Sequence, residues 1–226
     1  MTKAEVRARI EEIGIIPAVR VSSAEDARFA AEAVYHAGLP IAEITMTVPG
    51  ALEVIAGLVR DFPQMVVGAG TVLDADMARS CLAAGARFLT STGLECDVVE
   101  LAVKEDVVVL PGALTPTEIL AAWKTGADFI KVFPCAPLGG DSYIRTLKAA
   151  LPQIPLIAGG GVKQQTAGHF IAAGATAIGV GRELITHEAV HRRKAEWIIE
   201  LAHRFLSIVK NARSQTAPRE HVVTFK

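Results

Sequence analysis

The chain has 226 residues, is 51% apolar, and sets 23 basic against 24 acidic side chains for a net charge of −1. That much hydrophobicity excludes disorder, and so even a charge balance argues against nucleic acid as the main partner. No uninterrupted apolar run approaches the roughly 18 residues of a membrane span; the weakly polar stretch from Phe170 to Gly181 is broken by Thr176 and glycines.

In chain order, the opening Met1-Thr2-Lys3-Ala4-Glu5-Val6-Arg7 lacks the apolar centre of a signal peptide. A first helix is expected over Lys3 to Ile13. Short runs rich in Val, Ile and Ala then begin at Ile15, Ile41, Met65, Phe88, Val107, Phe129, Pro155 and Ala177. Between them lie stretches of helical spacing: Ala24 to Ala37, Pro49 to Arg60, Asp74 to Ala84, Glu95 to Lys104, Pro116 to Thr125, Asp141 to Ala150 and Lys163 to Ala173. Four of these finish in glycine, at Gly38, Gly85, Gly126 and Gly174, the residue expected just past a helix end. Strand followed by helix about eight times predicts an α/β protein, a (β/α)8 TIM barrel with an extra N-terminal helix and a long C-terminal one from Glu188 to Asn211. The length, just short of the ~250 residues usual for that fold, allows one domain over residues 1–211. Residues 212–226, polar and interrupted by Pro218, are expected to be an extension. The three cysteines, Cys81, Cys96 and Cys135, have no Cys-x-x-Cys spacing, which fits a reducing, cytoplasmic setting and no zinc site.

In such a barrel the chemistry sits where strands end. Phe129-Ile130-Lys131-Val132-Phe133-Pro134 carries a lysine in mid-strand, with Phe129, Lys131 and Phe133 on one face. Desolvation disfavours a charged amine, and a neutral one attacks carbonyls. The plainer alternative is a structural lysine paired with a buried carboxylate. Glu43, in Ile41-Ala42-Glu43-Ile44-Thr45-Met46-Thr47, is the candidate carboxylate, with Thr47 at the cavity mouth if alternation holds that far. It could move protons for Lys131 or merely neutralise it. Gly68-Ala69-Gly70-Thr71 ends another strand; its glycines would let a substrate approach, and Thr71 would offer a hydroxyl, unless it only caps a helix. Arg20 closes the first strand as a cation aimed at the same mouth or out to solvent. Gly159-Gly160-Gly161 and Gly179-Val180-Gly181-Arg182 end the last two strands; leading into helices, they would cradle a phosphate. His187 and His191 stand four apart but lack an acidic partner motif, so no metal is expected.

Taken in order, Glu43-Ile44-Thr45, Gly68-Ala69-Gly70-Thr71-Val72, Pro111-Gly112-Ala113-Leu114-Thr115-Pro116-Thr117-Glu118, Lys131-Val132-Phe133-Pro134 and Gly160-Gly161-Val162 resemble the 2-keto-3-deoxy-6-phosphogluconate / 4-hydroxy-2-oxoglutarate aldolases. The resemblance spans nearly everything from Ile15 to Ile185. It implies a homotrimeric class I aldolase, without cofactor, that releases pyruvate from a small 2-keto acid. Lys131 would form the Schiff base and Glu43 would be the general acid/base. Thr71 would hold the pyruvate carboxylate, with Phe133 a wall of its pocket. Four positions depart from the family pattern. Thr47 stands where many members have a carboxylate-binding arginine, Thr92 where Pro is usual, Gly159 where a Thr contacts phosphate, and Arg182 where a small residue is common. Arg20 is therefore expected to take over the substrate carboxylate. Two other readings remain at this point. One is a phosphate-binding barrel isomerase or epimerase with Glu43 as base. The other is a non-catalytic barrel that binds 2-keto acids.

Overall fold

The computed structural model describes residues 1–216. Its first half runs α1 (Lys3–Ile13), β1 (Ile15–Val19), α2 (Ala24–His36), β2 (Ile41–Thr45), α3 (Ala51–Asp61), β3 (Val66–Gly70), α4 (Ala75–Ala83), β4 (Phe88–Thr90), α5 (Cys96–Lys104) and β5 (Val108–Leu110). The second half runs β6 (Gly112–Ala113), α6 (Pro116–Lys124), β7 (Ile130–Val132), α7 (Asp141–Ala150), β8 (Leu156–Ala158), α8 (Gln164–Ala172), β9 (Ala177–Val180), α9 (His187–His191) and α10 (Ala195–Thr216).

All pairings are parallel, in the order β5-β4-β3-β2-β1-β9-β8-β7-β6. Among the described residues the eight expected strands become nine, because the fifth is cut at Pro111, which has no N–H to give to a ladder. Below the cut the chain pairs with β4; above it, with β7. The ring is closed across the cut: the Lys131 N–H donates to the Pro111 carbonyl at 2.9 Å, and the Asp128 N–H to the Val109 carbonyl at 3.1 Å. The fold is the predicted TIM barrel.

Alternation along the strands sorts two cores. Ile16, Ile41, Val66, Phe88, Val108, Phe129, Ile157 and Ala177 point inward and fill the lower barrel. Val6 and Ile10 of α1 join that cluster and plug its floor. Helix α1 starts at a capping box in which Thr2 and Glu5 satisfy each other's backbone N–H groups. Residues of the opposite strand face, such as Ile44, Val67, Ile130, Val132 and Ile178, pack outward against the helices. The four glycines that end helices all take left-handed φ, between 80° and 100°. Hydrocarbon fills the lower barrel interior, and the cavity lined by inward strand residues lies at the upper end.

The C-terminal end departs from expectation in two ways. One long helix was predicted from Glu188, but the chain breaks between α9 and α10, with Arg193 at φ 53°. The Arg193 guanidinium reaches back to Glu25 at 2.8 Å and Asp26 at 3.1 Å and lies over the Phe29 ring, which ties the break to α2. The last helix also runs past Asn211 to Thr216. Ala212 is buried, and Arg213 donates to the carbonyls of Glu11, Glu12 and Thr176 beneath the barrel, so this turn belongs to the domain. The rest of the expected extension, 217–226, lies outside the described residues.

Candidate active site

Lys131 is the middle residue of β7, on the inward face that begins with Phe129. Its side chain is 12% exposed and its Nζ opens on a cavity of about 350 Å³ at the upper end of the barrel. Glu43, the third residue of β2, is 3% exposed and lines the same cavity. Lys131 Nζ lies 3.2 Å from Glu43 Oε2 and 3.4 Å from Oε1. The amine therefore meets a carboxylate, not hydrocarbon alone. A buried pair of this kind adds little net stability, because desolvating both charges offsets their attraction. Its position on a cavity gives it another use.

Thr90, at the end of β4, is the residue that sequence reasoning missed. It is fully buried, and its Oγ1 accepts from Lys131 Nζ at 3.2 Å. The signal was available: Thr90 follows Phe88 by two and so shares its inward face.

The glycines of β3 make room for neighbouring side chains. A Cβ on Gly70 would stand 2.1 Å from Glu43 Oε1, and one on Gly68 would stand 2.3 Å from the Phe88 ring. These two positions are kept bare so that the carboxylate and the ring can cross the barrel.

Arg20 Nη2 donates to Thr71 Oγ1 at 3.3 Å, and Thr71 is not itself a lining residue of the cavity. Arg20 does line the cavity. Thr47 does not. Strand β2 stops at Thr45, so alternation ends there, and Thr47 sits exposed on the following turn. Its hydroxyl is 2.9 Å from that of Thr45, which in turn donates to the Val19 carbonyl at 3.1 Å. Phe133 forms a wall, its ring centroid 5.8 Å from Lys131 Nζ.

Gly160, Gly161 and Arg182 line the side of the cavity formed by β8 and β9. The Gly159 and Gly160 carbonyls accept from the N–H groups of Cys135 and Ala136 at 2.8 and 3.1 Å. A trans peptide sets its C=O and N–H antiparallel, so the N–H groups of Gly160 and Gly161 face away from that loop. Paired N–H groups of this sort suit an anion. The second glycine-rich end differs from expectation: Gly181 leads into a turn closed by the Leu184 N–H on the Gly181 carbonyl at 2.9 Å, and helix α9 begins only at His187.

The family model for KDPG and KHG aldolase matches residues 6–201. The chain belongs to that family. As a member it is an aldolase, a carbon–carbon lyase. It is 31% identical over 157 residues to the 2-dehydro-3-deoxy-phosphogluconate aldolase of Zymomonas mobilis, covering 70% of this chain and 75% of that one. It is 33% identical over 172 residues to a probable 2-dehydro-3-deoxy-6-phosphogalactonate aldolase of Rhizobium meliloti, covering 75% and 81%. Among solved structures, the KDPG aldolase of Legionella pneumophila with pyruvate captured as a covalent carbinolamine superposes with a TM-score of 0.81 at 26% identity, over 88% of this aldolase and 96% of that chain.

Proposed function

We propose that this aldolase cleaves a 2-keto-3-deoxy-6-phospho sugar acid, or the shorter 4-hydroxy-2-oxoglutarate, to pyruvate and an aldehyde through a Schiff base on Lys131. One observation carries the reading: Lys131 Nζ opens on the cavity with a carboxylate 3.2 Å away and a hydroxyl at the same distance. The Legionella relative, caught as a carbinolamine with pyruvate, supports it.

In the sequence of steps, Glu43 takes a proton from the ammonium and frees the nitrogen lone pair. Nζ attacks the substrate C2 carbon; Glu43 passes its proton to the oxygen and takes one from the nitrogen, which gives a carbinolamine and leaves Glu43 protonated. That hydroxyl leaves as water with a proton from Glu43, and an iminium remains. The iminium withdraws the C3–C4 bonding pair to form an enamine while Glu43, directly or through water, takes the C4 hydroxyl proton; the aldehyde departs. Protonation of the enamine at C3 and addition of water then free pyruvate and restore the amine. Arg20 and Thr71 hold the substrate carboxylate, so that the guanidinium serves in place of an arginine at Thr47. Phe133 packs on the pyruvate methyl end. The N–H groups of Gly160 and Gly161, with Arg182, receive the 6-phosphate.

Pyruvate release from both substrates tests this reading. Lys131→Met is expected to abolish it, and Glu43→Gln to lower kcat at least 100-fold, within the range usual for removing a general acid/base. Arg20→Ala is expected to raise KM for both substrates; an unchanged KM would end its assignment to the carboxylate. Full activity in Lys131→Met would refute the whole scheme.

A further inference from the structure

Beside the Lys131 cavity lies a second one, of about 790 Å³, and the two share Arg20 and Arg182 as a common wall. Its floor is apolar, from Ile185 and Val190, and its rim carries Ser22, Asp26, Thr186, His187, His191 and Arg193. The charges on that rim do not cancel. Asp26, its one acid among the described residues, is held by Arg193 at 3.1 Å and by the Ser22 hydroxyl at 3.4 Å. Arg193 is also paired with Glu25. Among the described residues Arg20, Arg182, His187 and His191 form no ion pair. His187 and His191 are stacked, ring centroids 5.9 Å apart and planes within 11°, so both imidazoles present their edges from one side of α9.

We infer that this cavity receives the far end of a longer substrate: a 2-keto-3-deoxy acid of seven or more carbons that ends in a phosphate. The inference rests on the proposed function and extends it. A six-carbon substrate places its phosphate at Gly160 and Gly161, inside the first cavity. His187 and His191 line the second cavity and not the first, so a longer aldehyde fragment is needed to meet them. With Arg20 kept on the carboxylate, Arg182 and two imidazoles suit a terminal phosphate, since a guanidinium fork matches phosphate oxygens and each imidazole adds one donor. Hydroxyls along the chain would find Ser22 and Thr186 on the rim.

The test compares kcat/KM for pyruvate release from three substrates: 4-hydroxy-2-oxoglutarate, a six-carbon 6-phosphate and a seven-carbon 7-phosphate. The wild-type protein and a His187→Ala/His191→Ala double variant are measured side by side. The double variant is expected to lose at least tenfold more on the seven-carbon phosphate than on 4-hydroxy-2-oxoglutarate. In the wild type, removing the terminal phosphate from the seven-carbon acid is expected to cost at least tenfold as well, which needs no variant to fold. Equal losses across substrates, or no phosphate dependence in the wild type, would overturn the subsite. If the wild-type protein releases no pyruvate from any of the three and forms no borohydride-stable adduct with pyruvate, the parent reading has failed instead.

Discussion

At the scale of single residues, the site is a three-way contact among Lys131, Glu43 and Thr90. An ammonium has three protons, and here both partners accept them. In the proposed scheme, once Glu43 has removed one, the Thr90 hydroxyl still holds the amine in place. Losing a hydrogen bond to a charged group costs about 1.5–3 kcal/mol, or roughly 10- to 100-fold in rate if it is felt fully in the transition state. Thr90→Val is therefore expected to lower kcat by about that factor and to slow adduct formation with pyruvate, with Thr90→Ser restoring both; a Val variant as fast as wild type would remove Thr90 from the chemistry. Lys131 and Glu43 were legible because each is a charge inside an apolar strand. The inward placement of Thr90 was legible from its spacing to Phe88, but its part in the site was not, because a threonine closing a three-residue strand looks like any helix or turn cap. Thr47 was misplaced for the complementary reason: alternation was carried two residues beyond the end of β2. The cysteines give a separate check. Burial pushes the thiols of Cys81 and Cys135 up to about 11, while Cys96 is exposed at the start of α5. Thiolate is the reactive form, so at pH 8 an alkylating reagent is expected to label Cys96 in the native protein and the other two only after unfolding, as peptide mapping would show.

At the scale of elements, the sequence marked strands and helices by alternation and by glycine stops, and the structure follows it closely from α1 to β9. What it hid were breaks whose cause is distant in sequence. The cut at Pro111 depends on which neighbour each half of the strand meets. The bend at Arg193 depends on Glu25 and Asp26 of α2, and the extra turn of α10 on carbonyls at the end of α1. The role of α1 was hidden too, since a helix ahead of a barrel is not obviously a plug. Ile10 is fully buried against the inward residues of the strands. Ile10→Ala is expected to cost about 2–5 kcal/mol, the usual range for truncating a buried Ile to Ala. Urea unfolding would read this as a lower midpoint at unchanged slope; a loss below 1 kcal/mol would mean that α1 does not seal the floor.

At the scale of the whole molecule, hydrocarbon fills the lower barrel and the upper end carries two neighbouring cavities that share Arg20 and Arg182. Stability and chemistry are thus separated along the barrel axis, as expected of this fold. Family membership gives the reaction type, and in the proposed scheme Gly159 and Arg182 stand at the end of the site that faces the aldehyde. Leu73, Val103 and Leu120 are exposed at 47%, 44% and 37% on the arc that carries β3, α5 and α6. We propose that this arc packs against further copies in a homotrimer; sedimentation equilibrium is expected to return three times the chain mass of 23.9 kDa, and a monomer at micromolar concentration would contradict it. The most direct test of the central claim is borohydride reduction of the protein in the presence of pyruvate, followed by peptide mapping. A pyruvate-derived adduct on Lys131, absent without pyruvate or without reductant, is the predicted result. An unmodified Lys131, or an adduct on another lysine, would contradict it.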